Sequence, residues 1–509
     1  MKVVTAEQMN LIDKTAIEDY SVPATILMNN AGKSIADFIE ITFPETAVYI
    51  FCGRGNNGGD GFAAAYYLKN RGIDTGIFLS GNRNDVSPTS RVFLEMCEKS
   101  RIHIVEVRNE NIPVLPSDKN FIILDALTGT GFKGSPTGTL LHLIELINNS
   151  KNKIVAADIP SGLSANGEKP LGSAVRANYT ITMGLPKISL KTFPCADLCG
   201  NVIVADIGFP RELTQSEKIK VSLADESLIK NIPLNPDNEA YKGSRGHTLI
   251  IGGFTGMEGA AILACSALFN TGAGLATLIT DYEARKIIAG KIPELMTASF
   301  PSNPEKDEII KLLDPEKYTS MIIGPGMGRT SHASIIFYTV LENLHNTKIK
   351  RVLIDGDGLY HLSLYLKEKQ LPENIEFIIT PHFMEASRIC GKTVEEIKAS
   401  RLDSCCNIAA MSKTVCLLKG PASIISDGEY SIINIRGNAS LATAGSGDVL
   451  SGIIGSFMNL DIPLLHAGGA GMYLHGLCAD IFVSENPQGT MKAGDIVENI
   501  KSALKLALC

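Results

Sequence analysis

The chain has 509 residues, of which 45% are hydrophobic and 20% charged, and its formal net charge is −7. This composition is far from the low-hydrophobicity, high-charge range of disordered chains, and the length allows two to four domains of roughly 150 residues each. Because the net charge is negative and no block of lysine or arginine occurs, the sequence argues against a nucleic-acid partner.

The start of the chain and its longest uncharged stretch both bear on membranes and export. The first 20 residues contain four carboxylates, where a secretory signal would need an apolar core. Residues 259–280 carry no charge, but Gly272 and Gly274 interrupt them. This pattern predicts a buried helix, a glycine turn and a strand. We therefore expect neither an export signal nor a membrane partner.

The 11 cysteines form no CxxC pair, and none of the nine histidines lies near enough to a cysteine pair to suggest a zinc knuckle. The close pairs are Cys195 with Cys199 and Cys405 with Cys406. Buried, reduced thiols are the expectation for such scattered cysteines, and they indicate a cytoplasmic protein.

Short apolar segments recur along the first half of the chain, with helical segments between several of them. Continuous apolar runs are typical of parallel strands that helices cover on both faces, so we predict an α/β domain. Five of the segments run into glycine, proline or aspartate, at the strand ends where ligands bind in such sheets. The segments are TAVYIFC, TGIFLS, HIVEV, FIILDAL, KIVAADIP, YTITMG and NVIVADIGF.

A polar, proline-containing stretch follows and predicts a domain boundary between about 212 and 240. We expect a first domain at 1–212, a linker at 213–235 and a second, larger α/β domain at 236–509. The two halves show no internal repeat and are interpreted as unlike modules. The second half contains HTLIIGG, LATLIT, MIIGPG, RVLIDGDG, EFIITPH, TVCLLKG, ASIISDG and YSIINI, and then three helical segments.

The first strand of the first half leads into a turn with five glycines in nine residues, 53–61. Such a turn indicates that backbone amides approach a ligand, for example a phosphate near a helix N-terminus. Its Asn-Asn-Gly-Gly-Asp core adds oxygens that suit a hard cation. Asp125, Asp158 and Ser161 follow two further strands. Each aspartate alone is compatible with a helix cap. Because the ends of neighbouring parallel strands meet at one crevice, the oxygen atoms of these side chains together favour a ligand site there.

The segments NNGGDG, DALTGTGFKG and DIPSG resemble the NAD(P)H-hydrate epimerase family, in that order and over nearly all of residues 1–210. The resemblance implies a Rossmann-like fold and a potassium ion held by Asn57, Asp125 and Ser161. It also implies which residues hold the hydrated cofactor: Asn56, Asn57, Gly58, Gly59, Asp60, Gly129, Thr130, Gly131, Phe132, Lys133, Gly134, Ser135 and Asp158.

The substrate implied by this resemblance is NADHX or NADPHX, a nicotinamide dinucleotide whose dihydropyridine ring has taken up water at C6. The C6 hydroxyl can leave with help from the ring nitrogen, so proton transfer to and from that hydroxyl is the step a side chain accelerates. Asp158 is the first candidate for this role. Lys133 is the second, and a phosphate contact or a solvated loop position explains it equally well.

In the second half, the segment LATAGSGDVLSG at 441–452 places Gly445, Ser446 and Gly447 before an apolar helix and Asp448 in its first turn. Amides at a helix start stabilise the charge that develops on a transferred phosphoryl group, and a carboxylate beside them can take a hydroxyl proton. A glycine turn capped by aspartate is the purely structural alternative.

The segments YKGSRGHTLIIGG, IGPGMG, LIDGDGL, TPHFMEA, LKGPAS and ATAGSGDVLSG resemble ADP-dependent NAD(P)H-hydrate dehydratase, a ribokinase-like family, from residue 236 to the end. Two departures affect the local backbone and Mg²⁺ binding: Phe383-Met384 replaces the usual Pro-Gly, and glycines in LIDGDGL stand where alanine is more common. The implied hydrate contacts are Ala260, Gly326, His382 and Asp448. The implied contacts to ADP, which carries Mg²⁺, are Lys419, Gly420, Pro421, Ala422, Ser423 and Gly447.

Together the resemblances imply a bifunctional isomerase and lyase, and we expect it to form a homo-oligomer. It would interconvert the R and S hydrates and dehydrate the S epimer with ADP, yielding AMP and phosphate. One alternative is a kinase for a vitamin precursor or sugar fused to a nucleotide-binding module, and the epimerase-like motifs argue against it. Another is a first half that only captures a ligand, against which Asp125, Asp158 and Ser161 argue.

Overall fold

The computed structural model describes residues 1–116, 120–234, 238–239 and 241–508. The chain divides into two compact units, an N-terminal unit of Lys2–Val221 and a C-terminal unit of Ser222–Cys509 with Met1. The segment expected to be a linker contains a strand and a short helix, Val221–Leu223 and Ser227–Lys230. Residues 235–237, at its predicted end, lie outside the described residues. The domain limits given above stay a prediction.

The N-terminal unit contains a parallel sheet in which all seven strands predicted for the first half are neighbours, in the order β4-β3-β2-β5-β6-β7-β8. The order reverses between β2 and β5, and that reversal opens a crevice at the carboxyl ends of the strands. The elements are β1 Lys2–Val3, α1 Ala6–Glu18, α2 Ala24–Thr42, β2 Ala47–Cys52, α3 Asn56–Asn70, β3 Thr75–Ser80, α4 Pro88–Lys99, β4 His103–Val107, β5 Phe121–Ala126, α5 Gly138–Asn149, β6 Lys153–Ala157, β7 Tyr179–Met183, β8 Asn201–Ala205 and α6 Arg211–Thr214.

Helices cover both faces of this sheet, as the continuous apolar strands predicted. In β2, Ile50 points into a core shared with α2, α3 and α4, while Phe51 points into a core shared with α5. Both side chains are fully buried. Successive side chains of a strand point to opposite faces, so a strand covered on both sides needs apolar residues at every position.

In the C-terminal unit the strands β10 to β18 lie in the order β18-β17-β16-β15-β14-β13-β10-β11-β12, parallel except for the β16-β17-β18 meander. The elements are β9 Val221–Leu223, α7 Ser227–Lys230, β10 His247–Ile251, α8 Glu258–Thr271, β11 Leu275–Thr280, α9 Tyr282–Ala289, β12 Met296–Ser299, α10 Lys306–Leu312, β13 Ser320–Ile323, α11 Ser331–Asn343, β14 Arg351–Ile354, α12 Asp357–Glu368, β15 Glu376–Ile379, α13 Phe383–Cys390, α14 Val394–Ala399, α15 Arg401–Ser412, β16 Val415–Leu418, β17 Ile424–Ser426, β18 Ser431–Ile433, α16 Ser446–Phe457, α17 Leu464–Glu485 and α18 Ala493–Leu508.

The uncharged stretch 259–280 is the predicted helix, turn and strand. Helix α8 ends at Gly272, whose φ of 108° is left-handed, and β11 follows. Helices α8, α16, α17 and α18 pack together in the core of this unit. Within the described ranges, no helix combines the length and apolarity needed to cross a bilayer.

Two details differ from or extend the sequence analysis. Strand β12 was not predicted, because its sequence MTAS at the edge of the sheet contains no apolar run. The cysteines that the structure describes are all free thiols, eight of them buried and two partly buried. The prediction of buried thiols thus agrees with eight of those residues, and the reduced state stays a prediction.

Two candidate active sites

A pocket of about 180 Å³ opens at the carboxyl ends of the strands in the N-terminal unit. Its position follows from the reversal of strand order between β2 and β5. Apolar side chains form much of the wall, among them Met28 and Phe209. Six residues predicted to hold the hydrated cofactor line it: Asn56, Asn57, Asp60, Gly129, Thr130 and Asp158.

Gly58 and Gly59 do not line this pocket, and close packing explains why both are glycine. A Cβ atom on Gly58 would lie 1.9 Å from the carbonyl oxygen of Gly53, and one on Gly59 would lie 2.4 Å from Ser90 Oγ. Without side chains at these positions, the first turn of α3 can lie directly against the end of β2. Close packing of the strand-to-helix turn is therefore a structural reason for these glycines, independent of any ligand.

The predicted loop 131–135 also lies outside the pocket lining. Its lysine, Lys133, is 82% exposed and its Nζ lies 3.9 Å from Glu7 Oε1. An exposed ion pair at this distance contributes little to stability. The structure thus places Lys133 in solvent rather than beside Asp158.

The three predicted potassium ligands are connected through Thr128. Asn57 Nδ2 donates to the Thr128 carbonyl at 2.9 Å, and the Thr128 amide donates to Ser161 Oγ at 2.9 Å. Ser161 in turn donates to Asp125, from Oγ to Oδ1 at 2.6 Å and from its amide to Oδ2 at 2.8 Å. Burial raises the pKa of Asp125 to about 6, although these hydrogen bonds oppose the shift.

One atom of this cluster has no hydrogen-bond partner among the described residues, the buried Oδ1 of Asn57. A buried acceptor without a donor is costly, and a cation coordinated there would satisfy it. Among the described residues, no cluster of three or more His, Cys, Asp or Glu side chains could hold a metal ion. A cation in this unit would therefore depend on the mixed amide, carboxylate and hydroxyl oxygens of Asn57, Asp125 and Ser161, which suit a hard ion.

Asp158 follows β6 and has a φ of 64°, a left-handed conformation that is uncommon outside glycine. Its Oδ1 accepts three hydrogen bonds, from Thr182 Oγ1 at 3.2 Å, from the Met183 amide at 3.1 Å and from Lys187 Nζ. No hydrogen bond from the described residues reaches Oδ2. The carboxylate is thus fixed through one oxygen while the other is open to a ligand, and strain held in place at such a position is common at functional sites.

Two charged pocket residues were missed by the sequence analysis, Lys187 and Asp13. Lys187 is 1% exposed, and besides Asp158 it donates to Thr182 Oγ1 and to the Met183 carbonyl, both at 3.1 Å. Its signal was a lysine just after the buried strand YTITM. The signal for Asp13 was a charge on the same helix stripe as the buried Met9 and Ala16.

The C-terminal unit contains a cleft of about 420 Å³, also at strand carboxyl ends. The predicted Ala260, Gly326 and Asp448 line it, together with Glu385. His382 is the N-cap of α13, and its Nε2 lies 3.3 Å from Glu385 Oε1. Burial lowers the pKa of His382, and the charge of Lys419 lowers it further.

An ion pair between the buried Asp355 and the partly buried Lys419 lies at the start of α16. Lys419 Nζ donates to Asp355 Oδ1 at 2.7 Å, and Ser451 Oγ donates to Oδ2 at 2.7 Å. Burial would raise the pKa of Asp355, but the charge of Lys419 lowers it below its usual range. A Cβ atom on Gly447 would lie 3.3 Å from Lys419 Nζ, so the helix begins directly against this pair.

Asp448 is in the first turn of α16 and accepts no hydrogen bond from the residues described. Burial raises its pKa to about 7, and the negative charge of Asp355 adds to the shift while Lys419 opposes it. A carboxylate with this proton affinity changes its charge near neutral pH. It is therefore matched to general-base work at that pH.

The predicted nucleotide loop 419–423 does not line the cleft. Phe383 lies against this loop at Gly420. The Arg401 guanidinium carbon lies 5.2 Å from the centre of the Phe383 ring, a cation–π contact. A Cβ atom on Gly420 would lie 2.8 Å from both Phe383 Cζ and Arg401 Nη2. The residue that departs from the family pattern thus packs tightly against the loop.

Two family models match the chain: "YjeF-related protein N-terminus" over residues 24–189 and "NAD(P)H-hydrate dehydratase" over residues 248–502. The structure is similar to that of an ADP/ATP-dependent NAD(P)H-hydrate dehydratase from Bacillus subtilis, co-crystallised with ATP and Mg²⁺ (TM-score 0.50, 26% identity, 57% of this chain, 99% of that one). It is also similar to a ribokinase-like superfamily protein from Enterococcus faecalis V583 (TM-score 0.50, 26% identity, 57% and 96%). Fold and sites define a two-domain α/β enzyme whose second domain is ribokinase-like.

Curated relatives match both domains in one chain. The bifunctional NAD(P)H-hydrate repair enzyme Nnr of Moorella thermoacetica is 33% identical over 522 residues, which cover 99% of this chain and 97% of the relative. The enzyme of that name from Thermofilum pendens is 32% identical over 520 residues, with 99% and 96% covered. The chain belongs to the family of bifunctional NAD(P)H-hydrate repair enzymes, and the resemblance found in the sequence is confirmed.

Proposed function

We propose that this chain repairs hydrated NADH and NADPH in two reactions. The N-terminal unit interconverts the R and S hydrates, and the C-terminal unit dehydrates the S hydrate with ADP, producing AMP and phosphate. The observation that carries the proposal is shared by both units. In each unit an aspartate, Asp158 or Asp448, lines a pocket at strand carboxyl ends with an oxygen that accepts no hydrogen bond from the described residues.

In the first reaction the ring nitrogen N1 assists departure of the hydroxyl group from C6, and water then adds to the planar cation from the other face. Asp158 exchanges a proton with the C6 hydroxyl through its open Oδ2, while Lys187 and Thr182 hold Oδ1 in place. Carboxylates around the pocket stabilise the positive charge that develops on the ring. Fixed groups of this kind need no reorganisation during the reaction.

The predicted residues that line the pocket are assigned the main role in binding the hydrate. Asn56, Asn57, Asp60, Gly129 and Thr130 face it from the start of α3 and the segment after β5. The first amides of α3 have no partner within the helix and suit a phosphate. The glycines 58 and 59 would contribute only through their backbone, and the exposed loop 131–135 would contact parts of the dinucleotide beyond the pocket.

Asn57, Asp125 and Ser161 would hold a potassium ion, and the unpartnered Oδ1 of Asn57 supports this assignment. When bound, the ion supplies a positive charge beside the substrate. The residues themselves connect the start of α3 to the segments after β5 and β6 through Thr128. They therefore determine how the walls of the pocket are spaced.

The second reaction needs an activated leaving group, because hydroxide leaves poorly. Asp448 takes the proton of the C6 hydroxyl, whose oxygen attacks the terminal phosphorus of ADP, and the bond from that phosphorus to AMP breaks. The ring nitrogen then expels phosphate, and loss of a proton from C5 restores the dihydropyridine. The amides of residues 445–447, Lys419 and the Mg²⁺ that ADP brings stabilise the transferred phosphoryl group.

Ala260, Gly326 and His382 are assigned to the hydrate, and Lys419, Gly420, Pro421, Ala422, Ser423 and Gly447 to ADP. The cytoplasmic location and the homo-oligomer expected from the sequence stay predictions.

The test is incubation of the full chain with both hydrate epimers, with and without ADP, followed by chromatography. We expect interconversion without ADP, and NAD(P)H, AMP and phosphate with it. A chain that phosphorylates a sugar or vitamin precursor with ATP and leaves both hydrates unchanged would instead be the fused kinase.

A further inference from the structure

The pocket of the N-terminal unit contains a carboxylate outside the matched family region of residues 24–189, that of Asp13. Asp13 lies on α1, and Met9 and Ile17, one turn before and one turn after it, line the same pocket. Residues four apart share a helix face, so one stripe of α1 forms part of the pocket wall. A charged residue in the middle of that stripe needs an explanation.

The surroundings of Asp13 differ from those of Asp158. The described residues give Asp13 no hydrogen bond and no ion pair, whereas Asp158 is held by Lys187. The charged groups facing the same pocket are Asp60 from α3, Asp158 after β6 and Lys187 after β7. Burial raises the pKa of Asp13 to about 6, with Lys187 opposing the shift and Asp158 adding to it. Asp13 thus retains its proton more readily than an exposed aspartate.

The reaction assigned above to this pocket needs two proton-transfer groups, and the inference that follows depends on that proposed function. Inversion at C6 requires that the departing oxygen gain a proton on one face of the ring. The incoming water must lose a proton on the other face. A single carboxylate fixed through one oxygen, as Asp158 is, reaches only one of these two positions.

We propose that Asp13 is the general acid of the epimerase and that Asp158 is its general base. The C6–O bond breaks, its electron pair stays with the oxygen, and that oxygen takes the proton of Asp13 and leaves as water. The N1 lone pair forms the C6–N1 double bond. A second water then bonds to C6, the double-bond pair returns to N1, and the extra proton of that water passes to Asp158. Exchange with solvent resets both carboxylates, and the reverse reaction uses them in opposite roles.

Other proton donors near the pocket are less suitable. Lys187 directs its donors to Asp158, Thr182 and Met183, so its protons are already used. Lys133 is 82% exposed and pairs with Glu7. Asp60 remains as the competing carboxylate, since burial also raises its pKa well above the usual range. The experiment therefore includes Asp60.

The experiment uses the full chain in potassium buffer prepared with ¹⁸O-labelled water and without ADP. Epimer interconversion is followed by chromatography, and oxygen exchange at C6 by mass spectrometry, both corrected for the spontaneous rate. We expect Asp13→Asn to slow both by about 10²-fold or more, the usual contribution of a general acid. Asp19→Asn, at the exposed C-cap of the same helix, is the matched control and should match the unaltered chain.

Two further measurements separate chemistry from folding. ADP-dependent dehydration of pure S hydrate by Asp13→Asn should proceed at the unaltered rate. Asp13→Ala should regain interconversion when formate is added, because formate can enter the space and donate a proton, whereas a misfolded pocket would gain nothing.

Full interconversion by Asp13→Asn would overturn the assignment, as would loss of interconversion in Asp60→Asn alone or a folded Asp13→Ala that formate does not restore. Absence of interconversion in the unaltered chain would instead overturn the proposed function itself.

Discussion

Both units contain a lysine–aspartate ion pair at strand carboxyl ends, but the two pairs differ in whether the lysine holds the proposed base. In the N-terminal unit, Lys187 holds Asp158, the residue assigned to proton transfer. In the C-terminal unit, Lys419 holds Asp355, and the assigned base is Asp448, which forms no ion pair with the residues described. The N-terminal unit thus fixes its proposed base with a cation, while the C-terminal unit fixes a neighbouring carboxylate and leaves its proposed base free.

This difference has a chemical consequence. Burial of a carboxylate without a partner favours its protonated form. The pKa of Asp448 is accordingly raised to about 7 by burial and by the charge of Asp355. We therefore expect the two active sites to respond differently to substitution.

The largest effect is expected from Asp448→Asn, which removes the proposed base of the second unit. ADP-dependent dehydration should fall by about 10²- to 10⁴-fold. Epimer interconversion should remain nearly unchanged, because its residues lie in the other unit. The measurement is the rate of NAD(P)H formation from S hydrate beside the rate of epimer interconversion. Dehydration at the unaltered rate would show that the phosphoryl-transfer mechanism is wrong.

Asp158→Asn should produce the complementary result. With both epimers and excess ADP, the unaltered chain should convert all hydrate to NAD(P)H, whereas this variant should stop with the R epimer left over. The reason is that a phosphoryl-acceptor site presents only one face of C6 to the nucleotide. Chromatography of the remaining hydrate over time checks this. Complete conversion at the unaltered rate would mean that Asp158 is not the epimerising group or that the dehydratase accepts both epimers.

A smaller effect is expected for the pH dependence of potassium binding, because Asp125 is one of the proposed ligands. Because burial raises the pKa of Asp125 to about 6, this carboxyl is protonated below that pH and is a poor cation ligand. Potassium affinity should therefore be full at pH 8 and should fall by about tenfold per pH unit below pH 6.

The measurement for this potassium effect is the shift in unfolding temperature on adding potassium at pH 8 and at pH 5. Asp125→Asn should abolish the difference between the two pH values. Equal epimerisation in potassium and in a large organic cation, at matched ionic strength, would remove the ion from the mechanism.

The smallest effect is expected at Phe383. Phe383→Leu removes the cation–π contact with Arg401, worth about 0.5–1 kcal/mol, and loosens the loop 419–423 beside Gly420. We expect the KM for ADP to rise by a few-fold with little change in kcat. Met384→Leu is the matched control, since that neighbouring side chain is 56% exposed. An equal rise in both variants would show that the ring does not support the loop.

The strands were predictable because burial on both faces forces continuous apolar runs, as at β2 and β5. The resemblance to the epimerase family grouped Asn57, Asp125 and Ser161 as ligands of one ion, and in the structure they are linked through Thr128. The edge strand β12 was not predicted, because a strand that is partly exposed to solvent does not need a continuous apolar run.

The remaining features of the sites depend on contacts distant in sequence. Lys187 and Asp158 are 29 positions apart, and nothing local to either shows that they meet. Asp13 lies on a helix that precedes every motif used in the sequence analysis. The tight contact of Gly58 with Gly53 is likewise a matter of packing, so its glycine signal was open to interpretation as ligand binding.

The left-handed backbone at Asp158 limits which residues that position tolerates, and the buried Lys187 limits them further. Aspartate and asparagine adopt such a φ at small cost, while most other side chains lose about 1 kcal/mol or more. Glycine adopts it without penalty, but it would leave the ammonium group of Lys187 buried without its counter-charge, which is strongly destabilising. A saturation library at this position should therefore return aspartate both when it is sorted for heat resistance and when it is sorted for hydrate repair, so that folding and activity select the same residue.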